Sequence, residues 1–275
     1  MTITETSSSL LKQVDYFEGI GGIKPATEIV AGANLSIAIV GKQKVGKSWF
    51  AATAPPPVLH YDFDNRAESL AGKEGVYVKT LIDLDQSRPT AFKALEMDLS
   101  ILKYRKSKGL PIPRSYVFDT VTYLKNFIIN EQFTQGLASR TLKLSPTSSI
   151  KLTTNWDAVN GVEAALHYLI TEYGQLGNII FVFHEKAEKD VTESKPDKAV
   201  YTDQITVDPQ HLAKILSRFN EVFRIQIDTA QKYIVTCQPG YEFNAATTLK
   251  LDKTEEPDFQ KMIAKHQAKL NQKQA

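Results

Sequence analysis

The sequence predicts an α/β fold: a mostly parallel sheet flanked by helices, ending in a C-terminal antiparallel hairpin. Two observations carry that expectation. Short, continuous apolar runs alternate with segments of helical period, as strands buried on both faces alternate with crossover helices. The first such run, Leu35–Val40, passes directly into a glycine-bounded loop, and a helix start follows.

The elements follow in chain order. Residues 1–30 are rich in Ser, Thr and Gly and read as a flexible N-terminal segment. Leu35–Val40 is the first strand, and KSWFAATA opens the first helix. Pro55–Pro57 end that helix and launch the second strand, Val58–Phe63. Val76–Val78 is a short third strand. Over 90–106 a helix aligns Ala91, Leu95, Leu99 and Leu102 on one face. Ser115–Asp119 is a strand and Thr120–Gly136 a helix. Asn155–Tyr173 is helical again, with Val159, Val162, Ala165, Leu166 and Leu169 as core positions. Asn178–His184 is the most apolar strand. A helix is expected at 209–218, then the hairpin Glu221–Asp228 and Lys232–Cys237. The expected core thus spans 31–252, and 253–275 reads as a polar tail, a solvated helix with Lys261, Lys265 and Lys269 at i, i+4 spacing or a disordered segment. Two polar connections, 137–154 and 185–205, are long for a compact domain, and loops of that length are usually functional or disordered.

Composition narrows the function. At 42% hydrophobic and 23% charged residues, the chain reads as an ordinary soluble globular protein. A formal net charge of +2 is too small for a global field to draw in nucleic acid, so any such contact needs local clusters. Cys237 is the only cysteine, which excludes an internal disulfide and a cysteine zinc site and suits a reducing cytoplasm. No apolar run approaches the roughly 20 residues that span a bilayer. The N-terminus lacks the basic and apolar regions of a signal peptide.

The most specific signal is Gly41-Lys42-Gln43-Lys44-Val45-Gly46-Lys47-Ser48, which fits G-x4-G-K-[ST] at every fixed position. The glycines let the backbone turn and approach phosphates, and loop amides and a helix N-terminus face the anion. Lys47 would reach the β and γ oxygens, Ser48 would offer its hydroxyl to Mg²⁺, and Trp49 extends the segment into the helix. A chance match in a chain of this length is on the order of 1%, and the match sits where the motif belongs. The loop therefore predicts a bound nucleoside triphosphate, ATP with Mg²⁺.

Hydrolysis also needs acids. Asp119 closes a buried strand and is the candidate for the metal shell, besides serving as a helix cap. In LHYDFDNRAESL, strand alternation puts Asp62 and Asp64 on one face, and Asp64, one step beyond the apolar run, is the candidate that orients water. Glu68 reads as a surface residue. His184 ends a strand at the edge where parallel sheets bind ligands, and could sense the γ-phosphate.

The succession strand–GKQKVGKS–helix, LHYDFDN, SYVFDT, NWDAVNGVEAALHYLI, NIIFVFHE and a long charged loop resembles a RecA-type ATPase core. It is similar to the small phage-encoded, core-only RecA-like proteins associated with recombination and single-strand annealing. The resemblance spans roughly 30–240. It implies a P-loop NTPase of RecA-like fold, with Asp119 as the second Walker acid. Asp64 falls where a catalytic glutamate is usual, and His184 where a glutamine couples nucleotide to DNA. The shorter Asp64 predicts slow hydrolysis, and the imidazole a pH-sensitive switch. The two long connections fall where such proteins contact DNA, through Arg140, Lys143 and Lys151 in the first and Lys186, Lys189, Lys195 and Lys198 in the second. Acidic neighbours leave the second nearly neutral; Tyr201 could stack on a base, while Trp156 reads as packing at a helix start.

The implied protein is a homo-oligomer, ring or filament, with ATP at the subunit boundary. Its partners would be single-stranded DNA and phage single-strand binding or replication proteins, in the cytoplasm of an infected host. Arg218 and Arg224 are the candidates for an arginine finger, with surface salt-bridging the commoner role for such residues, and the segment around Phe17 is the candidate for docking on a neighbour. Two other readings remain: a small-molecule (nucleotide) kinase, disfavoured by the scarcity of arginine in both long loops, and an NTPase that regulates a replication protein.

Overall fold

The computed structural model describes residues 34–84, 89–138, 156–187, 201–203, 214–239 and 245–272. Nine strands and five helices lie among them. In chain order they are β1 (Ser36–Gly41), α1 (Lys47–Ala51), β2 (Val58–Asp62), β3 (Val76–Thr80), α2 (Ala91–Ser107), β4 (Ser115–Asp119), α3 (Val121–Ala138) and α4 (Trp156–Gly174). Then come β5 (Asn178–Ala187), β6 (Tyr201–Asp203), β7 (Glu221–Ile227), β8 (Tyr233–Thr236), β9 (Thr254–Glu255) and α5 (Phe259–Asn271).

The sheet runs β3-β2-β4-β5-β1-β7-β8-β9, parallel from β3 through β7 and antiparallel from β7 onward. This is the expected mostly parallel α/β sheet with its C-terminal hairpin. One strand, β5, separates the loop strand β1 from β4, so Gly41 pairs with His184 while Val182 pairs with Asp119. Gly41 and Asp119, the last residues of β1 and β4, therefore flank β5 near His184 along one edge.

Alternation divides the sheet between two cores. Tyr61, Tyr116, Phe118, Phe181 and Phe183 pack under α2, α3 and α4, where Leu95, Leu99, Leu102, Leu124, Leu166 and Leu169 supply the facing stripes. Ile37, Ile39, Val58, Val117, Ile180 and Val182 pack under α1 and α5, against Phe50, Phe259 and Met262. The helical core positions expected at 91, 95, 99 and 102, and at 162, 166 and 169, are buried.

Two expectations change, the connection at 185–205 and the polar tail. The connection expected at 185–205 starts later, because β5 continues to Ala187 and pairs with β6, Glu185 to Asp203 and Ala187 to Tyr201. Lys186 and Tyr201 are thus strand residues, and Trp156 is the first residue of α4. Of the helix expected at 209–218, residues 214–216 are described and helical. The polar segment past Asp252 is partly built into the core. Lys261, Lys265 and Lys269 pair with Glu256, Asp252 and Glu255 on its solvent side, while Phe259 stacks on Phe50 of α1 at 4.1 Å between ring centroids. The spacing Phe259, Met262, His266 supplied a buried stripe beside the lysine stripe. The segment 1–33 with Phe17, and Arg140, Lys143, Lys151, Lys189, Lys195 and Lys198, lie outside the described residues.

Candidate functional site

The site is built around the turn from β1 into α1. Gly46 caps α1 at φ 83°, a left-handed conformation that favours glycine, with the Tyr233 ring 3.6 Å from where a Cβ would stand. Gly41 is needed for a different reason. A Cβ there would lie 2.5 Å from the Ile225 carbonyl oxygen of β7, so the tight approach is to the neighbouring strand. Between them Lys44 is also left-handed, at φ 61°. Lys47 is 5% exposed, and its Nζ donates to the carbonyls of Gly41 at 2.9 Å and Lys42 at 2.5 Å. The loop thus folds around a buried cation.

A cavity of about 360 Å³ opens beside this loop. Its walls include Gln43, Lys44, Gly46, Lys47, Ser48 and Trp49 from the loop and α1, Asp64, Arg66 and Ser69 from the segment after β2, Asp119 from β4 and Thr120 just after it, His184 from β5 and Tyr233 from β8. Lys47, Ser48, Asp64, Asp119 and His184, far apart in sequence, therefore share one chamber. Trp49 is half exposed, with the Lys73 ammonium 3.9 Å from its ring centroid. Three predicted loop positions are not among these walls: Val45 packs into the core under α1, and Gly41 and Lys42 contribute their carbonyls to Lys47.

The charges in the chamber are strongly coupled. Burial raises the Asp119 pKa, but hydrogen bonds from His60 and Ser48 and the charge of Lys47 outweigh it and hold the carboxyl below its usual range. Asp64 is pushed up to about 6, by burial first, then by its hydrogen bond with Asp62 and the charges of Asp119 and Asp62. His184 is pushed down to about 4, by burial and then by Lys47. Its imidazole is therefore neutral around pH 7, and the pH-sensitive switch expected of it falls outside the neutral range.

Asp62 and Asp64 divide their work. Asp62 accepts from the backbone amides of Asp64 at 3.2 Å and Arg66 at 3.3 Å, so it shapes the turn. That turn, with Asn65 at φ 56°, delivers Asp64 to the chamber. Glu68 is exposed in a short 3-10 turn, Ala67–Leu70, as expected.

Of the two candidate arginines, Arg218 is exposed and Arg224 is not available. Arg224 is 6% exposed in β7 and ion-paired with Glu185, Nη2 to Oε1 at 3.1 Å. A guanidinium locked inside its own sheet cannot reach a neighbouring subunit, so Arg224 drops out as a finger. Sequence reasoning also missed His60, Arg66 and Tyr233. His60 carried a signal, a polar residue inside the apolar run VLHYDF. Tyr233 carried none, because the β7–β8 hairpin brings it across from a distance.

Three buried polar atoms on the chamber residues have no hydrogen-bond partner among the described residues: Asp119 Oδ1, Thr120 Oγ1 and His184 Nδ1. Natural structures rarely leave such atoms unsatisfied. A phosphate chain with its divalent cation supplies what they lack, an acceptor for the hydroxyl and a cation for the carboxylate. No group of three or more metal-ligating side chains occurs among the described residues. The donor set therefore fits Mg²⁺ held by one or two side chains and the phosphates, and does not form an all-protein cage.

Sheet order, loop and buried lysine together define the class: a P-loop nucleoside-triphosphatase core. Over residues 33–256 the chain matches the model of a family described as AAA domain, well over half its length, and it belongs to that family. A search of curated proteins found no match. No helix among the described residues is long and apolar enough to cross a membrane.

Proposed function

We propose that this chain is an ATPase that binds ATP with Mg²⁺ in the Gly41–Ser48 chamber and acts on single-stranded DNA as a RecA-like homo-oligomer. Its setting would be phage DNA recombination, annealing or replication. The observation that carries the ATPase reading is the meeting of Lys47, Ser48, Asp64, Asp119 and His184 in one chamber at the carboxyl ends of parallel strands.

Each residue has a task in that reading. The loop amides and Lys47 bind and orient the β and γ phosphates. Ser48 and Asp119 hold the divalent cation. When bound, Mg²⁺ neutralises charge that builds on the transferring phosphoryl group. Asp64, ionised above about pH 6, accepts a proton from the attacking water. His184, neutral, takes a hydrogen bond or gives one beside the γ-phosphate. Trp49 and Tyr233, both in the chamber wall, would offer flat surfaces to the base.

The DNA reading draws support from the resemblance to RecA-type cores and from chain connectivity. The β5–β6 ladder that brackets residues 188–200 begins one residue after His184. Residues 139–155 follow α3, which starts two residues after Asp119. A change at either phosphate-facing residue thus has a short covalent route to one of the two connections.

Fluorescence anisotropy with single-stranded oligonucleotides, with and without a non-hydrolysable ATP analogue, tests the DNA reading. Analogue-dependent binding is expected. No binding up to tens of micromolar protein in either condition overturns it. ATP turnover stimulated by nucleosides or nucleotides but not by DNA would move the assignment to a kinase.

A further inference from the structure

His60 stands mid-strand in β2, 1% exposed, between Leu59 and Tyr61. Its neighbours on the same face of the sheet, Val58 and the directly opposed Val117, are apolar and buried. Packing gives no reason for an imidazole there. The parallel register gives one. His60 opposes Val117, so Asp119 is its diagonal neighbour two residues on, and His60 Nε2 lies 3.3 Å from Asp119 Oδ2. The other ring nitrogen, Nδ1, has no partner among the described residues. Nε2 is therefore the ring nitrogen placed to donate to Oδ2. With Oδ2 engaged, Oδ1 is the oxygen left without a partner.

We propose that His60 is a positioning residue for the nucleotide's divalent cation: its Nε2–H locks the Asp119 carboxylate so that Oδ1 faces the chamber. This rests on the Mg²⁺-ATP reading given above. A carboxylate turns freely about its terminal torsion unless something holds it. Groups that orient a metal ligand from behind commonly change metal affinity by about 10- to 100-fold when removed. His60 reaches Asp119 from β2, which borders β4 on the side opposite β5 and β1.

The test is Mn²⁺ binding to the full chain, followed by electron paramagnetic resonance with a non-hydrolysable ATP analogue present. In His60→Leu the Mn²⁺ dissociation constant should rise about 10-fold or more. In His60→Gln, whose amide nitrogen stands where Nε2 stood, it should stay near wild type. Analogue affinity in EDTA should be unchanged in both, since the cation is then absent. Wild-type Mn²⁺ affinity in His60→Leu overturns the proposal, and so does equal weakening in both variants. Should His60→Leu fail to fold, His60→Asn replaces it, because its shorter amide cannot reach Oδ2; wild-type affinity there is equally fatal. A wild-type chain that binds neither analogue nor Mn²⁺ brings down the ATP reading itself, and this proposal with it.

Discussion

Under α2, α3 and α4 the sheet presents Tyr61, Tyr116, Phe118, Phe181 and Phe183; under α1 and α5 the same strands present His60, Asp62 and Asp119 among valines and isoleucines. The first face is nearly closed on itself. Phe118 stacks on Phe181 at 4.4 Å and on Tyr61 at 5.4 Å between centroids. The Tyr61 and Tyr173 hydroxyls meet at 3.1 Å, and Tyr173 donates to the Leu95 carbonyl. The second face leaves polar atoms open toward a chamber. Because side chains alternate, one strand can spend alternate residues on packing and on chemistry. The difference shows where this fold keeps its stability and where it keeps its reactive groups.

The largest effect should come from breaking the closed face. Phe181→Ala removes a fully buried ring from the centre of the sheet and should destabilise the chain by about 3–5 kcal/mol. Urea unfolding measures this, and nucleotide affinity of the molecules that remain folded should be unchanged. On the other face, Lys47→Ala should cost less stability, about 1–3 kcal/mol for the Gly41 and Lys42 carbonyls it leaves unpaired, and cut ATP turnover by about 10²–10³-fold. A variant that lost both stability and turnover in proportion would erase the division between the faces.

Asp64 sharpens the comparison through pH. Its folded pKa of about 6 exceeds the 3.8 of an unperturbed aspartate, so the folded chain binds that proton more tightly than the unfolded one. The ionised group therefore costs stability at pH 7, and the cost fades as pH falls through about 6 toward 4. Asp64→Asn should accordingly raise the melting temperature at pH 7 and not below pH 4, by calorimetry. Wild-type turnover should fall as pH drops through about 6, while the asparagine variant stays low and flat. The smallest effect is expected at His184. With its pKa down to about 4, His184→Gln should leave the shape of the pH–rate profile unchanged between pH 6 and 8. A new inflection in that range would show that the imidazole charges during turnover.

Much of the fold was legible because its signals are local. The strand at Ser115–Asp119 has the expected boundaries, and Asp119 ends it at the expected edge. Asp64 was readable from its place one step beyond the apolar run, and it does line the chamber with Asp119 and His184. His184 was expected to end its strand, which in fact runs on to Ala187. That Asp62 is taken up by backbone amides of the turn was not readable, because the turn's geometry decides it. A salt bridge is the commoner role for Arg224, but its burial was not readable, because Glu185 lies on β5, on the far side of β1. The burial of one face of α5 was not readable either, because its lysine stripe is as regular as its buried one.

The sequence by itself determined the loop Gly41–Ser48, the alternation of strands with helices and the acids at the strand ends. Each of these depends on spacing within a few residues, where backbone geometry leaves few choices. Tertiary structure alone decided that β5 lies between β1 and β4, that His60 stands diagonal to Asp119, and that Tyr233 and Arg66 complete the chamber. Strand order and register are settled by burying two faces at once, and that balance is struck across the whole chain.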